Sequence, residues 1–309
     1  MIIKESKNIE NENYVSVFGA SAMSGVDGPG VRTVVFFQGC PVNCIWCHSP
    51  HSRSLISPLI FFKQNCRMCM RCQQICEQDV HIFKNEKHII YRNLCIKCGN
   101  CIKACPESSV YNESSVLQFP TKYITPENLL EQLLPYITLC DGITLSGGEA
   151  LLQENTPKFL ELCKEKNIHV CVETSGLLDD NRYMNALPFV DVWLFGIRVL
   201  TDKSVNLHTK TLISNSRLIK SHLNAIIIPA IPLIPGITEN TLQESLSVIE
   251  IINPAEIWLN PWNQSYDVYY TAMGIETAFP KPTEASIKKC EEDVQTFFRK
   301  KGLKTVLRK

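Results

Sequence analysis

The spacing of the cysteines constrains this chain more than any other feature. Eleven of its fifteen cysteines lie between Cys40 and Cys105, in three groups with two or three residues between neighbours. Such gaps favour metal ligation, whereas a disulfide framework, the alternative, suits small exported domains better than a chain of 309 residues. The other four stand alone in apolar surroundings and are predicted to be core residues: Cys140, Cys163, Cys171 and Cys290.

The first group follows a strand-like run and consists of Cys40, Cys44 and Cys47. Three cysteines on one tight loop can hold a [4Fe–4S] cluster and leave one iron open for a small chelating molecule. Two alternatives exist: a cysteine from elsewhere would make a closed electron-transfer cluster, and His48 would complete a zinc site. The spacing, and Gly39 before the first cysteine, favour the open cluster.

The second and third groups repeat one pattern, C-x2-C-x2-C-x3-C, and Pro106 follows the third group. This doubled pattern is typical of a bacterial-type ferredoxin module with two [4Fe–4S] clusters, in which the fourth cysteine of each run ligates the other cluster. Glu77 takes the place of the proline after the second group, and zinc is the alternative metal. The predicted ligand sets are Cys66, Cys69, Cys72 and Cys105 for one cluster, and Cys76, Cys95, Cys98 and Cys101 for the other.

Outside this region, short β-branched runs alternate with amphipathic stretches, which indicates an α/β fold of parallel βαβ units. The predicted strands cover residues 32–38, 143–145, 168–172, 190–195, 225–228 and 256–259. The predicted helices include residues 126–134, 157–166 and 239–252. A glycine-rich or polar motif follows each strand. Because the carboxyl ends of parallel strands share one face of a barrel, we expect these motifs to meet there.

Composition bears on partners and location. Lys+Arg and Asp+Glu each total 31, so the net charge gives no reason to expect a nucleic acid or an anionic membrane surface as partner. No apolar run approaches the length that spans a bilayer. The opening segment, MIIKESKNIENENY, is polar and has no apolar signal core, so a cytoplasmic protein is expected.

The C-x3-C-x-aromatic-C pattern of the first group resembles the radical S-adenosylmethionine superfamily. The resemblance implies that the amino and carboxylate groups of S-adenosylmethionine chelate the open iron. It also implies that an electron from the cluster splits the sulfonium bond and yields a 5′-deoxyadenosyl radical, which takes a hydrogen atom. Trp46 stands where this family places an aromatic ring beside the adenine, and packing within the loop is the alternative role.

The order of motifs along almost the entire chain resembles the glycyl-radical-enzyme activating enzymes, relatives of the pyruvate formate-lyase activating enzyme. The matching segments are SGVDGPGVRTVVFFQGCPVNCIWCHSP, the two-cluster module, DGITLSGGEALLQ and IPLIPGITEN. The implied fold is an incomplete (β/α)6 TIM-like radical SAM barrel, residues 1–54 and 118–309, with the ferredoxin module inserted at 55–117. The implied partners are a glycyl radical enzyme and a flavodoxin or ferredoxin-type electron donor, and we expect a monomer.

The resemblance also implies several contacts to S-adenosylmethionine. Gly147, Gly148 and Glu149 would contact the methionine amino group, although a strand-to-helix turn alone would also need glycine. Glu173 and Ser175 would lie near the methionine or ribose groups. The Asp-Gly-Pro-Gly stretch at residues 27–30 looks like the segment that approaches the partner's glycine loop, and an ordinary turn is its alternative role.

Four positions depart from the family pattern. Gly196 and Arg198 stand where Asp-x-Lys is usual, Ala230 replaces an arginine, and Asn263 replaces a histidine. Arg198 keeps the positive charge, but its planar fork differs from an ammonium. A divergent radical paralogue with another substrate or without glycyl activation, or an iron–sulfur electron-transfer protein, are therefore alternatives to an activating enzyme. The remaining predicted cofactor contacts are Trp46, Cys47, His48, Gly196, Ile197, Arg198 and Asn263.

Overall fold

A computed structural model of the protein describes residues 3–5, 13–108, 115–198, 205–223, 225–277 and 279–308. The polar segment at residues 1–14, on which the expected location rests, lies mostly outside these ranges. Within them, no helix combines the length and the apolar composition needed to cross a membrane. All fifteen cysteines lie inside the described ranges and each is a free thiol, which argues against a disulfide framework.

One nine-stranded mixed sheet forms the body of the protein, in the strand order β13-β12-β11-β10-β9-β8-β2-β1-β7. Strands β2 and β8 to β13 are parallel to one another. At one edge β1 pairs antiparallel with β2, and β7 pairs antiparallel with β1. Two small sheets, β3-β6 and β4-β5, complete the β structure of the described residues. The strands are β1 Val15–Ser24, β2 Arg32–Phe37, β3 Ile60–Phe61, β4 His81–Lys84, β5 Lys87–Ile90, β6 Leu117–Gln118, β7 Lys122–Ile124, β8 Ile143–Gly147, β9 Val170–Thr174, β10 Val192–Gly196, β11 Ile226–Pro232, β12 Ile257–Asn260 and β13 Thr305–Leu307.

The six parallel strands predicted from the sequence are all present, with small shifts at their ends. Strand β13 is a seventh, which the prediction missed. It is three residues long, too short for a periodic pattern, and it is recognisable only through its pairing with β12.

The helices connect the strands and cover the sheet. The helix predicted at residues 239–252 begins later than expected, because a 3₁₀ turn occupies Thr238–Thr241. The Thr238 hydroxyl donates to Pro232 O at 2.6 Å and accepts from the Ile234 amide at 2.9 Å, which holds the chain in a tight turn. The helices are α1 Arg71–Ile75, α2 Asn100–Ala104, α3 Pro126–Ile137, α4 Thr156–Glu165, α5 Asp180–Ala186, α6 Val205–Lys220, α7 Leu242–Ile252, α8 Val268–Met273 and α9 Glu284–Lys300.

The isolated cysteines mostly belong to the core. Cys163, Cys171 and Cys290 are buried, as predicted. The prediction is wrong for Cys140, which is partly exposed and whose thiol donates to Ala22 O at 3.3 Å. It lies in the turn between α3 and β8, where the chain runs along the surface before it enters the sheet.

The cysteine-rich segment lies between β3 and β6 along the chain. The antiparallel pairing of these two strands brings the two ends of the segment together. Arg92 fixes this segment to the body. Its Nε donates to Leu59 O at 3.0 Å, and its Nη2 donates to Ala272 O in α8 at 2.8 Å. The segment is therefore docked against the body as well as tethered to it.

Candidate functional site

Main-chain hydrogen bonds hold the cysteine loop that follows β2. The amide of Gly39 donates to Ser52 O at 2.7 Å, and the amide of Cys40 donates to Arg53 O at 2.9 Å. Gln38 braces the loop through Nε2, which donates to two carbonyls further along it at 2.7 and 2.6 Å. The loop therefore folds back on itself and presents its thiols in a fixed arrangement.

The three thiols of the loop suit an iron cluster better than one zinc ion. Burial and the nearby Glu149 carboxylate raise the pKa of Cys40 to about 12, and burial also raises the pKa of Cys44. Such thiols ionise when a positive metal centre compensates their charge. Among the described residues, no set of three donor atoms that includes a loop cysteine lies within 4.8 Å. Thiolates on one tetrahedral zinc would be about 3.8 Å apart.

Trp46 packs within the protein, because its side chain is 8% exposed and belongs to an aromatic and aliphatic cluster beside the loop. This packing agrees with a role within the loop, and the contact with adenine stays a prediction. His48 is exposed at the end of the loop. The other members of the cluster are Val42, Cys44, Ile234, Ile237, Trp262, Tyr266, Tyr270 and Phe279.

The SGGE motif lies directly against the base of the loop. A Cβ at Gly148 would come within 2.3 Å of Gly39 O, and one at Gly147, whose φ is +109°, within 2.5 Å of the Phe37 amide nitrogen. The amide of Glu149 donates to the same Gly39 carbonyl at 2.7 Å. Close backbone packing thus requires both glycines and puts Glu149 beside the cysteines.

The Glu149 side chain is fully buried and only partly hydrogen-bonded. Its Oε2 accepts from the amide and the hydroxyl of Ser175 at 2.8 and 2.6 Å, while Oε1 has no partner among the described residues. Burial raises the pKa of this carboxyl, and the hydrogen bonds from Ser175 oppose that shift. A buried carboxylate oxygen with a free lone pair fits an ammonium group, so the arrangement suits the methionine amino group.

Glu173 and Arg198 meet where β9 and β10 end. Arg198 Nη2 lies 3.4 Å from Glu173 Oε1, and Ser146 Oγ donates to Glu173 Oε2 at 2.6 Å. Burial lowers the pKa of Arg198, but the charges of Cys44, Glu173, Cys40 and Glu149 outweigh that effect and raise it. A cation therefore lies beside the loop and the carboxylates, available for an anionic ligand group.

Three further predicted cofactor contacts, Gly196, Ile197 and Asn263, take part in local packing and hydrogen bonds. A Cβ at Gly196 would lie 2.9 Å from Thr174 O, so the packing of β10 against β9 leaves little space there. Ile197 is buried in the core, and its amide donates to Ala230 O at 2.9 Å. Asn263 is exposed, and its Oδ1 accepts from the Ser265 amide at 2.9 Å, as in an Asx turn.

A cavity of about 190 Å³ lies at this edge of the sheet. Its lining includes Trp258 and Arg308, which the sequence analysis did not assign to the site. The Arg308 guanidinium stacks 3.9 Å over the Trp258 ring and donates to Gly25 O and Gly28 O. No motif marks Arg308, because it follows the unpredicted strand β13. The cavity is lined by Val26, Asp27, Glu173, Leu194, Ala230, Trp258, Asn260, Pro261 and Arg308.

Two cavities lie in the described part of the cysteine-rich segment between β3 and β6, and each is lined by one of the predicted cysteine sets. Burial raises the pKa of Cys72 in the first cavity and of Cys101 in the second to about 12, and neighbouring thiols add to both shifts. Two histidines that the prediction did not consider, His81 and His88, also line these cavities. The first cavity includes Cys66, Cys69, Cys72 and Cys105, and the second includes Cys76, Cys95, Cys98 and Cys101.

Known proteins resemble the chain over most of its length. Residues 26–178 match the family described as a 4Fe-4S single cluster domain. The trans-4-hydroxy-L-proline dehydratase activating enzyme of Clostridioides difficile is 29% identical over 296 residues, which cover 90% of this chain and 94% of that protein. The isethionate sulfite-lyase activating enzyme of Oleidesulfovibrio alaskensis is 32% identical over 249 residues, or 75% of this chain and 77% of that protein. A solved domain of a pyruvate-formate lyase-activating enzyme from Bacteroides vulgatus is 20% identical, with a TM-score of 0.38 over 54% of this chain and 98% of that one.

Proposed function

This chain belongs to the family of glycyl-radical-enzyme activating enzymes, and from that premise we propose which of its residues hold iron–sulfur clusters and which bind S-adenosylmethionine. The observation that carries the proposal is the contact between the cysteine loop and Glu149, whose amide donates to Gly39 O. It supports the proposal because the three thiols of the loop and the buried Glu149 carboxyl group lie side by side. That combination suits a ligand that chelates iron through an amino group and a carboxylate.

We assign the radical cluster to Cys40, Cys44 and Cys47. These cysteines would hold the cluster, which when bound would supply the electron for reductive cleavage of S-adenosylmethionine and so the means to remove a hydrogen atom from a glycine of the partner enzyme. The protein supplies orientation: Glu149, fixed by Ser175, would accept from the ammonium group. Arg198 would hold the methionine carboxylate in place of the usual lysine.

The same proposal assigns two further [4Fe–4S] clusters to the insert, for a total of three. Its support is the agreement between the predicted cysteine sets and the lining of the two cavities. Residues 55–117 would then be a ferredoxin-type module in an incomplete (β/α)6 barrel formed by residues 1–54 and 118–309. The module would pass electrons from a flavodoxin or ferredoxin-type donor.

The partner's glycine loop would enter at the cavity beside Asp27. Asp27 and Gly28 are held there: Ser24 Oγ donates to the Asp27 carboxylate, and Arg308 donates to Gly28 O at 3.4 Å. Burial raises the pKa of Asp27. The cavity reaches Glu173 on the cofactor side, so a loop in it would approach the site of radical formation.

The activity test is anaerobic. Reconstituted and reduced protein with S-adenosylmethionine is expected to release 5′-deoxyadenosine. Addition of the matching glycyl radical enzyme from the same genome is expected to give a glycyl doublet in EPR spectra. Absence of 5′-deoxyadenosine from fully loaded protein would refute the radical function. Cleavage without the doublet, for every glycyl radical enzyme of the same genome, would instead favour a radical paralogue with another substrate.

The cluster assignments are tested with a matched pair of variants. The wild-type protein is expected to hold about twelve irons, and Cys44→Ala about eight, without cleavage of S-adenosylmethionine. Cys98→Ala alters the insert instead, and is expected to retain the EPR change that S-adenosylmethionine causes at the radical cluster. Cleavage by Cys44→Ala would refute the loop assignment, and about four irons in the wild-type protein would refute the ferredoxin module.

A further inference from the structure

A pair of buried histidines lies between the two cavities of the insert. His81 and His88 face each other on the hairpin β4–β5, with His81 Nδ1 2.9 Å from His88 Nε2. They are 1% and 8% exposed. His88 lines the cavity of Cys66 and Cys72, whereas His81 lines the cavity of Cys76 and Cys101. The pair therefore spans the partition between the proposed clusters.

The His88 ring is fixed at the first cavity. Its Nδ1 lies 3.8 Å from Cys66 Sγ, and its Nε2 lies 3.8 Å from Cys72 Sγ. Phe83 stacks on it at a centroid distance of 4.2 Å and an interplanar angle of 15°. The ring nitrogens therefore face the sulfurs of two cysteines that belong to one predicted ligand set.

The placement of protons in the pair follows from the chemistry of these neighbours. A neutral imidazole carries one N–H and one lone pair, and a ligating thiolate only accepts hydrogen bonds. If His88 carried its proton on Nε2 and donated it to His81 Nδ1, the His81 proton would lie on Nε2, as a buried N–H with no acceptor among the described residues. With the proton on Nδ1, His88 donates to Cys66, and its Nε2 accepts the Nδ1 proton of His81.

This arrangement leaves one nitrogen of the pair without a proton donor or acceptor. His81 Nε2 is buried and has no hydrogen-bond partner among the described residues. It then carries a lone pair, which gives the second cavity no N–H from this side. The histidine pair therefore offers a hydrogen-bond donor to the first proposed cluster and none to the second.

We propose that His88 donates a hydrogen bond to the Cys66 sulfur and that His81 is a positioning residue, which fixes the His88 tautomer. This inference rests on the proposed function, because it requires two clusters in the insert. Hydrogen bonds to cluster sulfurs raise the reduction potential. The cluster of Cys66, Cys69, Cys72 and Cys105 therefore has the higher reduction potential of the two and is the first to accept an electron from the external donor.

A metal ion held by Cys72, His81 and His88 is the competing explanation, since their donor atoms lie within 4.8 Å of one another. The 2.9 Å between His81 Nδ1 and His88 Nε2 is a hydrogen-bond distance. Two imidazole nitrogens on one tetrahedral zinc would be about 3.3 Å apart. Such an ion would also take Cys72 from the four-thiol set.

The experiment is an EPR-monitored redox titration in the Cys44→Ala background, in which the two insert clusters titrate without the radical cluster. Two separate potentials are expected for the parent. His88→Phe, which retains a ring against Phe83, is expected to lower the higher potential and leave the lower one in place. His81→Phe is expected to cause a smaller shift in the same direction, and His81→Asn, whose Nδ2 occupies the Nδ1 position, to restore the parent value.

Metal analysis separates the possible failures. Fewer than about eight irons in the parent would refute the two-cluster insert, which is the part of the proposed function that this inference requires, and would leave the radical cluster assignment untouched. About eight irons with potentials unchanged in His88→Phe would refute the inference alone. A stoichiometric zinc ion that is lost in His81→Phe would overturn it in favour of the metal site.

Discussion

Arg198 reaches Glu173 across the ends of two neighbouring strands, with 3.4 Å between Nη2 and Oε1. The two side chains are 26% and 21% exposed, so water reaches them and their mutual attraction adds little to stability. The pair matters for function because it fixes the position of the Arg198 guanidinium. The guanidinium stands beside the cysteine loop, close enough for the charges of Cys40 and Cys44 to act on it.

Replacement of Arg198 should therefore weaken cofactor binding more than folding. We expect Arg198→Gln to reduce the affinity for S-adenosylmethionine about 10- to 100-fold, since a hydrogen bond to a charged group contributes about 1.5–3 kcal/mol. Arg198→Lys should retain part of the affinity. Equilibrium dialysis with reconstituted, oxidised protein measures the effect. Lys158→Gln removes an exposed cation paired with Glu161 on α4 and should bind normally; equal affinity in all variants would contradict the assignment.

Gly148→Ala should disturb the cysteine loop, because its Cβ would stand 2.3 Å from Gly39 O. Relief of this contact moves backbone and costs about 1–3 kcal/mol. We expect a lower melting temperature and a loss of about four irons per chain after reconstitution. Gly25→Ala is the matched control, because no atom of the described residues lies within 4 Å of its Cβ. A Gly148→Ala protein with the full iron content would show that the loop adapts.

His51 should make the protein less stable in acid. The ring is 2% exposed, neither nitrogen has a partner among the described residues, and burial lowers its pKa to about 3. The unfolded chain, with a pKa near 6.5, gains a proton that the folded protein does not, so stability falls as the pH drops below about 6.5. The loss amounts to about 1.4 kcal/mol per pH unit, down to the folded pKa.

His51→Phe is expected to reduce this acid sensitivity, since a phenyl ring can retain the contacts with Phe18 and Tyr269. Anaerobic urea unfolding at pH 7.5 and 5.5 measures it. The variant should lose about 1.4 kcal/mol less than the wild-type protein between these two values. An identical loss in both proteins would mean that His51 becomes protonated without unfolding.

Arg92→Ala should loosen the insert from the body. The side chain donates to Leu59 O and Ala272 O, and their loss leaves two partly buried carbonyls without this donor, at about 1–3 kcal/mol each. Hydrogen exchange should accelerate in α8 and around Leu59, while the sheet stays protected. Arg67→Ala is the control, because Arg67 is 74% exposed and pairs with Glu107 on the surface. Unchanged exchange in α8 would mean that apolar packing alone docks the insert.

The sequence by itself determined the features that depend on local spacing. The positions of the cysteine groups and the six predicted parallel strands are of this kind, because ligand gaps and side-chain alternation extend over only a few residues. The polar motifs followed from them, since the end of each strand directs the next residues to one edge of the sheet.

Only the tertiary structure decided which distant side chains meet. Strand β13 and Arg308 acquire their places through pairing with β12 and stacking on Trp258. Glu149 Oε1 has no partner among the described residues, because Ser175, from another strand end, contacts only Oε2. The contact between His81 and His88 likewise depends on how the hairpin folds between two cavities. Such contacts depend on packing directions and burial, which residue spacing along the chain does not encode.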